Sequence, residues 1–94
     1  MTKLEDLKKR FMEDPEFREE YERVDEEFRL LEALVRARTE AKLTQAELAR
    51  RLGTTQSAIA RLESGGVSPS IRTLRRYAEA TGTRLSVDLS QASG

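Results

Sequence analysis

Four residues in the second half of the chain carry the groups best suited to recognition chemistry: Thr55, Gln56, Ser57 and Arg61. A Gln side-chain amide donates and accepts at once, so it can make two hydrogen bonds to the edge of adenine. An Arg guanidinium presents a donor fork that fits guanine twice. The Ser and Thr hydroxyls can bond base edges or phosphate oxygens. The expected chemistry is reading of base-pair edges, with Gln56 and Arg61 making the base contacts and Ser57 and Thr55 in support. Each good bidentate contact discriminates by ~1–3 kcal/mol.

Such groups work only if a helix holds them outward and its other face is anchored. The stretch from Leu43 to Gly65 supplies that arrangement. Thr44 can N-cap one helix, and Glu47 three residues on completes a capping box. Gly53 follows the apolar Leu52 and can take the left-handed conformation that ends a helix. Thr55 can cap the next helix, and Gly65 ends it. Ala49 is small where two crossed helices touch, and Ile59 is an apolar anchor beneath the second. Leu48, Leu52 and Leu62 complete the inner side. The spacing predicts a helix-turn-helix whose second helix enters a major groove with its N-terminal end.

These residues resemble the lambda-repressor-like, or XRE, family of DNA-binding domains, from about Leu34 to Gly82. "LTQAELARRLGTTQSAIARLESG" follows the family pattern almost throughout. The flanks, "DPEFREEYERVDEEF" and "GTRLSVDLS", look like HigA-type antitoxins of toxin–antitoxin operons. The resemblance implies that Arg38 and Glu63 form an ion pair beneath the DNA-binding surface. It also implies that Gln45 clamps a phosphate and braces Gln56. Arg72, near the start of the following helix, is a further phosphate candidate. For Arg50, Arg51 and Arg76 the expectation is plain solvation. The chain departs from the family pattern at two places. Lys42 stands where glycine is usual, so either the helix end is reshaped or a lysine occupies a left-handed conformation. Gly66 stands where a basic residue is common, which removes one phosphate contact.

The rest of the composition narrows the class. The chain has 94 residues, enough for one small domain, with no cysteine and no histidine. It has no Gly-rich phosphate loop and no metal-ligand cluster, and its carboxylates lie on an exposed helical face among basic neighbours. An enzyme, a cofactor, a metal site and catalytic residues are therefore not expected. No run approaches the ~20 apolar residues of a membrane span, and the charged N-terminus is not a secretory signal. A cytoplasmic bacterial protein, nucleoid-associated when bound to DNA, is the expectation.

Charge is unevenly placed. Residues 1–28 hold six Lys/Arg against eleven Asp/Glu, a balance of −5. Residues 29–94 hold eleven against six, a balance of +5. The basic part suits phosphate and the acidic part suits a basic protein surface. The acidic part also carries an apolar pattern. Leu4, Leu7 and Phe11 suggest a short amphipathic helix. Asp14-Pro15-Glu16 marks a fresh helix start. Phe17, Tyr21, Val24, Phe28, Leu31 and Val35 then recur every four and three residues. This seam is compatible with one long helix or with two broken near Asp25. It is equally compatible with internal core or with an interface. Phe11, Phe17, Tyr21, Val24 and Phe28 are the candidates for contact with a partner protein.

Leu30, Leu34, Ala37 and Ala41 form a second stripe toward the core. Ser70 can cap a further helix in which Ile71, Leu74 and Ala78 face inward, closed by Gly82. Leu85, Val87 and Leu89 then alternate with polar residues, which predicts a half-buried strand. A lone strand cannot satisfy its own backbone, so the expected role is pairing with a second copy across a two-fold axis.

The expected architecture is all-α: a lambda-repressor-like helix-turn-helix bundle with an N-terminal helical extension and a short C-terminal β-strand. Residues 1–28 are the acidic extension, 29–82 the DNA-binding domain, 83–90 the dimer strand and 91–94 a tail. The resemblance implies a dimeric DNA-binding antitoxin of a type II toxin–antitoxin system. It would neutralise a small basic RelE-like mRNA-cleaving toxin of HigB type and repress its own operon by binding double-stranded operator DNA as a homodimer. The alternatives are a stand-alone XRE repressor without a toxin, and an interaction module whose helix-turn-helix no longer binds DNA.

Overall fold

The computed structural model describes residues 6, 9, 10 and 13–91. The stripe of Leu4, Leu7 and Phe11, the side chain of Phe17 and the tail beyond residue 91 lie outside the described residues. From Pro15 onward, among the described residues, four helices follow one another: α1 (Pro15–Glu40), α2 (Gln45–Leu52), α3 (Gln56–Ser64) and α4 (Ile71–Ala80).

Local chemistry sets their ends. Asp14 accepts from the Glu16 N–H at 3.0 Å, and Pro15 occupies the first turn of α1. Thr44, Thr55 and Ser70 cap the other three helices by accepting from the N–H groups of Glu47, Ala58 and Thr73. Glu47 returns the bond to the Thr44 N–H at 3.1 Å, completing the capping box. Gly53 and Gly65 close α2 and α3 at φ 67° and 84°. Lys42 also sits at φ 59°, so a side-chain-bearing residue takes the left-handed turn between α1 and α2.

α1 is a single helix of 26 residues. Asp25 does not cap a second helix; its carboxylate pairs with Arg29 on the next turn at 2.6 Å. Beyond Pro15 nothing in this stretch breaks a helix. Its core contacts are made by Leu30, Leu31, Leu34 and Ala37 in the C-terminal half.

Leu34, Leu43, Leu48, Ala49, Ile59, Leu62 and Tyr77 form the buried core, with Leu52, Leu74 and Ala80 packed around it. Ala49 is the small residue at the α2–α3 crossing, and Ile59 lies beneath α3, 2% exposed. Tyr77 is only 1% exposed. Ile71, expected to face inward, is instead half exposed, because the first turn of α4 extends past the core.

The expected C-terminal strand does not form. Residues 83–91 have no regular secondary structure, and there is no strand among the described residues. A ladder needs a neighbouring edge with free N–H and C=O groups. The chain around this segment is helical and offers none. Leu85 is half buried and lines a shallow cavity with Leu30, Leu74 and Tyr77, whereas Val87 and Leu89 are 65% and 96% exposed. The alternation of the sequence thus ends in one anchored leucine and two solvated side chains.

Arg51 and Arg76 also depart from simple solvation. Arg51 donates to the Ala80 carbonyl at 3.1 Å, and Arg76 donates to the Leu52 carbonyl at 2.8 Å. Each of α2 and α4 therefore lends an arginine to the last carbonyl of the other. Helix C-termini carry unpaired carbonyls and partial negative charge, so both contacts are favourable.

Candidate nucleic-acid interface

α3 is held from below and open above. Ile59, Leu62 and Glu63 are buried on its inner face. Thr55, Gln56, Ser57 and Arg61 are all exposed. At ~100° per residue, Gln56 and Arg61 lie about 140° apart around the helix, with Ala60 and Ser57 in the arc between them. They flank the exposed ridge from opposite sides. The first N–H groups of α3 point out of its N-terminal end, beside Gln56, and carry partial positive charge.

Beneath this ridge Arg38 grips Glu63. Its Nε lies 2.8 Å from Glu63 Oε2 and its second terminal nitrogen 3.0 Å from Oε1. The other terminal nitrogen donates to the Leu43 carbonyl at 3.0 Å, tying α1 to the turn that precedes α2. The pair is buried, with Glu63's side chain 4% exposed. Arg38 is thus an anchor of the core.

Two further donors complete the carboxylate. The Gln45 amide nitrogen donates to Oε1 at 3.1 Å, and the Tyr77 hydroxyl lies 2.7 Å from Oε2. The same hydroxyl is 2.6 Å from the Leu34 carbonyl, but it has one hydrogen and the carboxylate is the stronger acceptor. Burial works against ionisation of Glu63 and is the largest single influence. The hydrogen bonds from Arg38, Gln45 and Tyr77 together outweigh it and hold the carboxyl below its ordinary range. The hydrogen bond to Glu63 raises Arg38. Burial, then the Glu63 contact, pushes Tyr77 up.

Gln45 faces two ways. One amide hydrogen is committed to Glu63, and a primary amide has two, so one remains for an outside acceptor. Arg72 is exposed in the first turn of α4. Tyr77 was not among the candidate residues. Its three-residue spacing from Leu74 signals an inward face, but nothing local signals its carboxylate partner.

The second candidate surface is on α1. Val24 and Phe28 are each 61% exposed, and Tyr21 is half buried. Phe28, Leu31 and Val35 line an open groove of about 660 Å³ that runs toward Thr39 and Ser64.

Residues 34–87 match the model of the helix-turn-helix family, a span that includes α2, α3 and α4. The chain belongs to that family. This helix-turn-helix chain is also 38% identical over 72 residues to proteins named Antitoxin HigA1 in two Mycobacterium tuberculosis strains, CDC 1551 / Oshkosh and ATCC 25618 / H37Rv. The match covers 77% of this chain and 48% of each relative. The helix-turn-helix chain therefore spans about half the length of the curated relatives it matches. No solved structure matches it. Among the described residues no helix is long and apolar enough to cross a membrane, and no acidic cluster is placed to hold a metal ion.

Proposed function

We propose that the chain is a DNA-binding antitoxin that represses its own operon and neutralises a co-encoded toxin. The observation that carries the DNA half is the outer ridge of α3. Thr55, Gln56, Ser57 and Arg61 are exposed, while Ile59, Leu62 and Glu63 lock the helix from below. In this reading Gln56 and Arg61 contact bases, with Thr55 and Ser57 in support. Gln45 and Arg72 contact phosphates on either side. Operator binding proceeds as a homodimer on double-stranded DNA.

The antitoxin half is supported by the similarity to proteins named Antitoxin HigA1 and by the character of α1. Its exposed Val24 and Phe28 continue a seam of Tyr21, Leu31 and Val35 with four–three spacing, the spacing of a coiled-coil face. Glu20 and Glu27 flank one side of that seam, and Asp25 and Glu32 the other. Glu20, Asp25 and Glu32 each pair with an arginine of α1, and a second copy laid on the seam would still bring these acidic rows together. A basic partner would not. The proposed partner is a small basic mRNA-cleaving toxin of RelE-like, HigB type, which would also touch Phe11 and Phe17.

Purification from the native operon tests the toxin half. A small basic protein should co-purify, and the neighbouring gene should arrest growth when expressed without this chain. Absence of both results ends the antitoxin reading. Salt-sensitive binding to upstream DNA tests the other half.

A further inference from the structure

α3 ends with three donors on one carbonyl. The Arg61 oxygen accepts from the Gly65 N–H, from the Gly66 N–H at 2.9 Å and from the Ser64 hydroxyl at 3.2 Å. These bonds fix the Arg61 backbone against the turn that follows. Its side chain then runs over that same turn. A Cβ built on Gly66 would lie 3.3 Å from Arg61 Cγ, 3.6 Å from its Cβ and 3.5 Å from its carbonyl oxygen. Gly66 is not there for its backbone angle; the left-handed glycines are Gly53, Gly65 and Gly82. What Gly66 supplies is room. Past this contact Arg61 lines a cleft of about 330 Å³ between α3 and α4, together with Thr54, Thr73 and Arg76.

The geometry points to Gly66 as a specificity-determining position: lacking a side chain, it lets the Arg61 stem lie flat on the turn and so sets the direction from which the guanidinium meets a base. A methyl group at 66 makes Arg61 Cγ give way by a few tenths of an ångström, the fork at the end of the stem moves with it, and bidentate contact to guanine tolerates little misdirection. No residue at 66 itself need touch DNA. The inference rests on Arg61 reading a base, and the failure of either claim is distinguishable in the test below.

The test uses the full chain and a pool of randomised duplex DNA. Wild type, Arg61→Ala, Gly66→Ala and the double variant each select duplexes, and base preferences are compared position by position. Arg61→Ala is expected to flatten one position in each half-site. Gly66→Ala is expected to weaken preference at that same position by about tenfold, with a melting temperature within a few degrees of wild type and unchanged binding to unselected duplex. The double variant should match Arg61→Ala alone. If Gly66→Ala leaves that position's preference intact, the role of Gly66 is overturned while base reading by Arg61 stands. If Arg61→Ala flattens no position, base reading by Arg61 falls and the role of Gly66 falls with it. A measurement on the wild type stands apart from any variant: a nuclear Overhauser contact between the Gly66 Hα and Arg61 Hγ protons is expected, and its absence overturns the packing.

Discussion

Gln45, the first residue of α2, donates its side-chain amide to the buried carboxylate of Glu63, eight residues into α3, at 3.1 Å. A residue at the edge of the candidate DNA surface is thereby tied to the ion pair in the core. Gln45→Ala removes both the tie and the outward amide hydrogen. Binding should weaken by a similar factor on every duplex sequence, while the slope of log K against log salt should stay close to that of wild type, because a neutral amide displaces no counterion. Stability should drop by no more than ~1–3 kcal/mol, the range for one lost bond to a charged group. Titrations at several salt concentrations check the first outcome and urea unfolding the second.

Arg38 should matter for stability far more than for DNA contact. Arg38→Met leaves Glu63 buried with only Gln45 and Tyr77 as donors. Loss of one partner of a buried pair costs ~3–5 kcal/mol. A denaturation midpoint near that of wild type would show that Glu63 is better hydrated than its burial implies.

Stability should fall at both ends of the pH scale. Glu63 has a lowered pKa in the folded chain. Its contribution is therefore complete above the unfolded carboxyl value of about 4.3 and is lost as pH falls through the folded value. Tyr77 is shifted the other way, upward. Its contribution is complete below the unfolded phenol value of about 10 and is lost as pH rises toward the folded one. Thermal melts from pH 2 to 11 should show an acid limb that Glu63→Gln flattens and an alkaline limb that Tyr77→Phe removes.

Lys42 holds a left-handed conformation at φ 59° without the freedom of glycine. That conformation costs a side-chain-bearing residue roughly 1–2 kcal/mol, and glycine's extra freedom in the unfolded chain offsets part of the gain. Lys42→Gly should therefore stabilise the fold by about 0.5–1 kcal/mol, read as a higher melting temperature.

Much of the candidate site was legible before any coordinates. Thr44, Glu47, Gly53, Thr55 and Gly65 mark the ends of α2 and α3 because caps are interactions within three or four residues. Ala49, Ile59 and Leu62 face inward because helical period leaves them no other side. The C-terminal alternation of Leu85, Val87 and Leu89 misled for the complementary reason. Period two describes a segment that would suit a sheet, but it does not supply the neighbouring edge. Ile71 misled in a similar way: its spacing suits an inner face, yet the core ends before it.

Sequence alone determined the helical hairpin, its caps and the outward side chains of α3, since each follows from contacts within about one helical turn. Tertiary structure decided that α1 runs unbroken past Asp25 and that Gln45 turns inward to Glu63. It also decided that Tyr77 joins the carboxylate and that Arg51 and Arg76 close each other's helix. Those last contacts join residues 14 to 29 positions apart, and such meetings depend on how the helices pack, which no local pattern encodes.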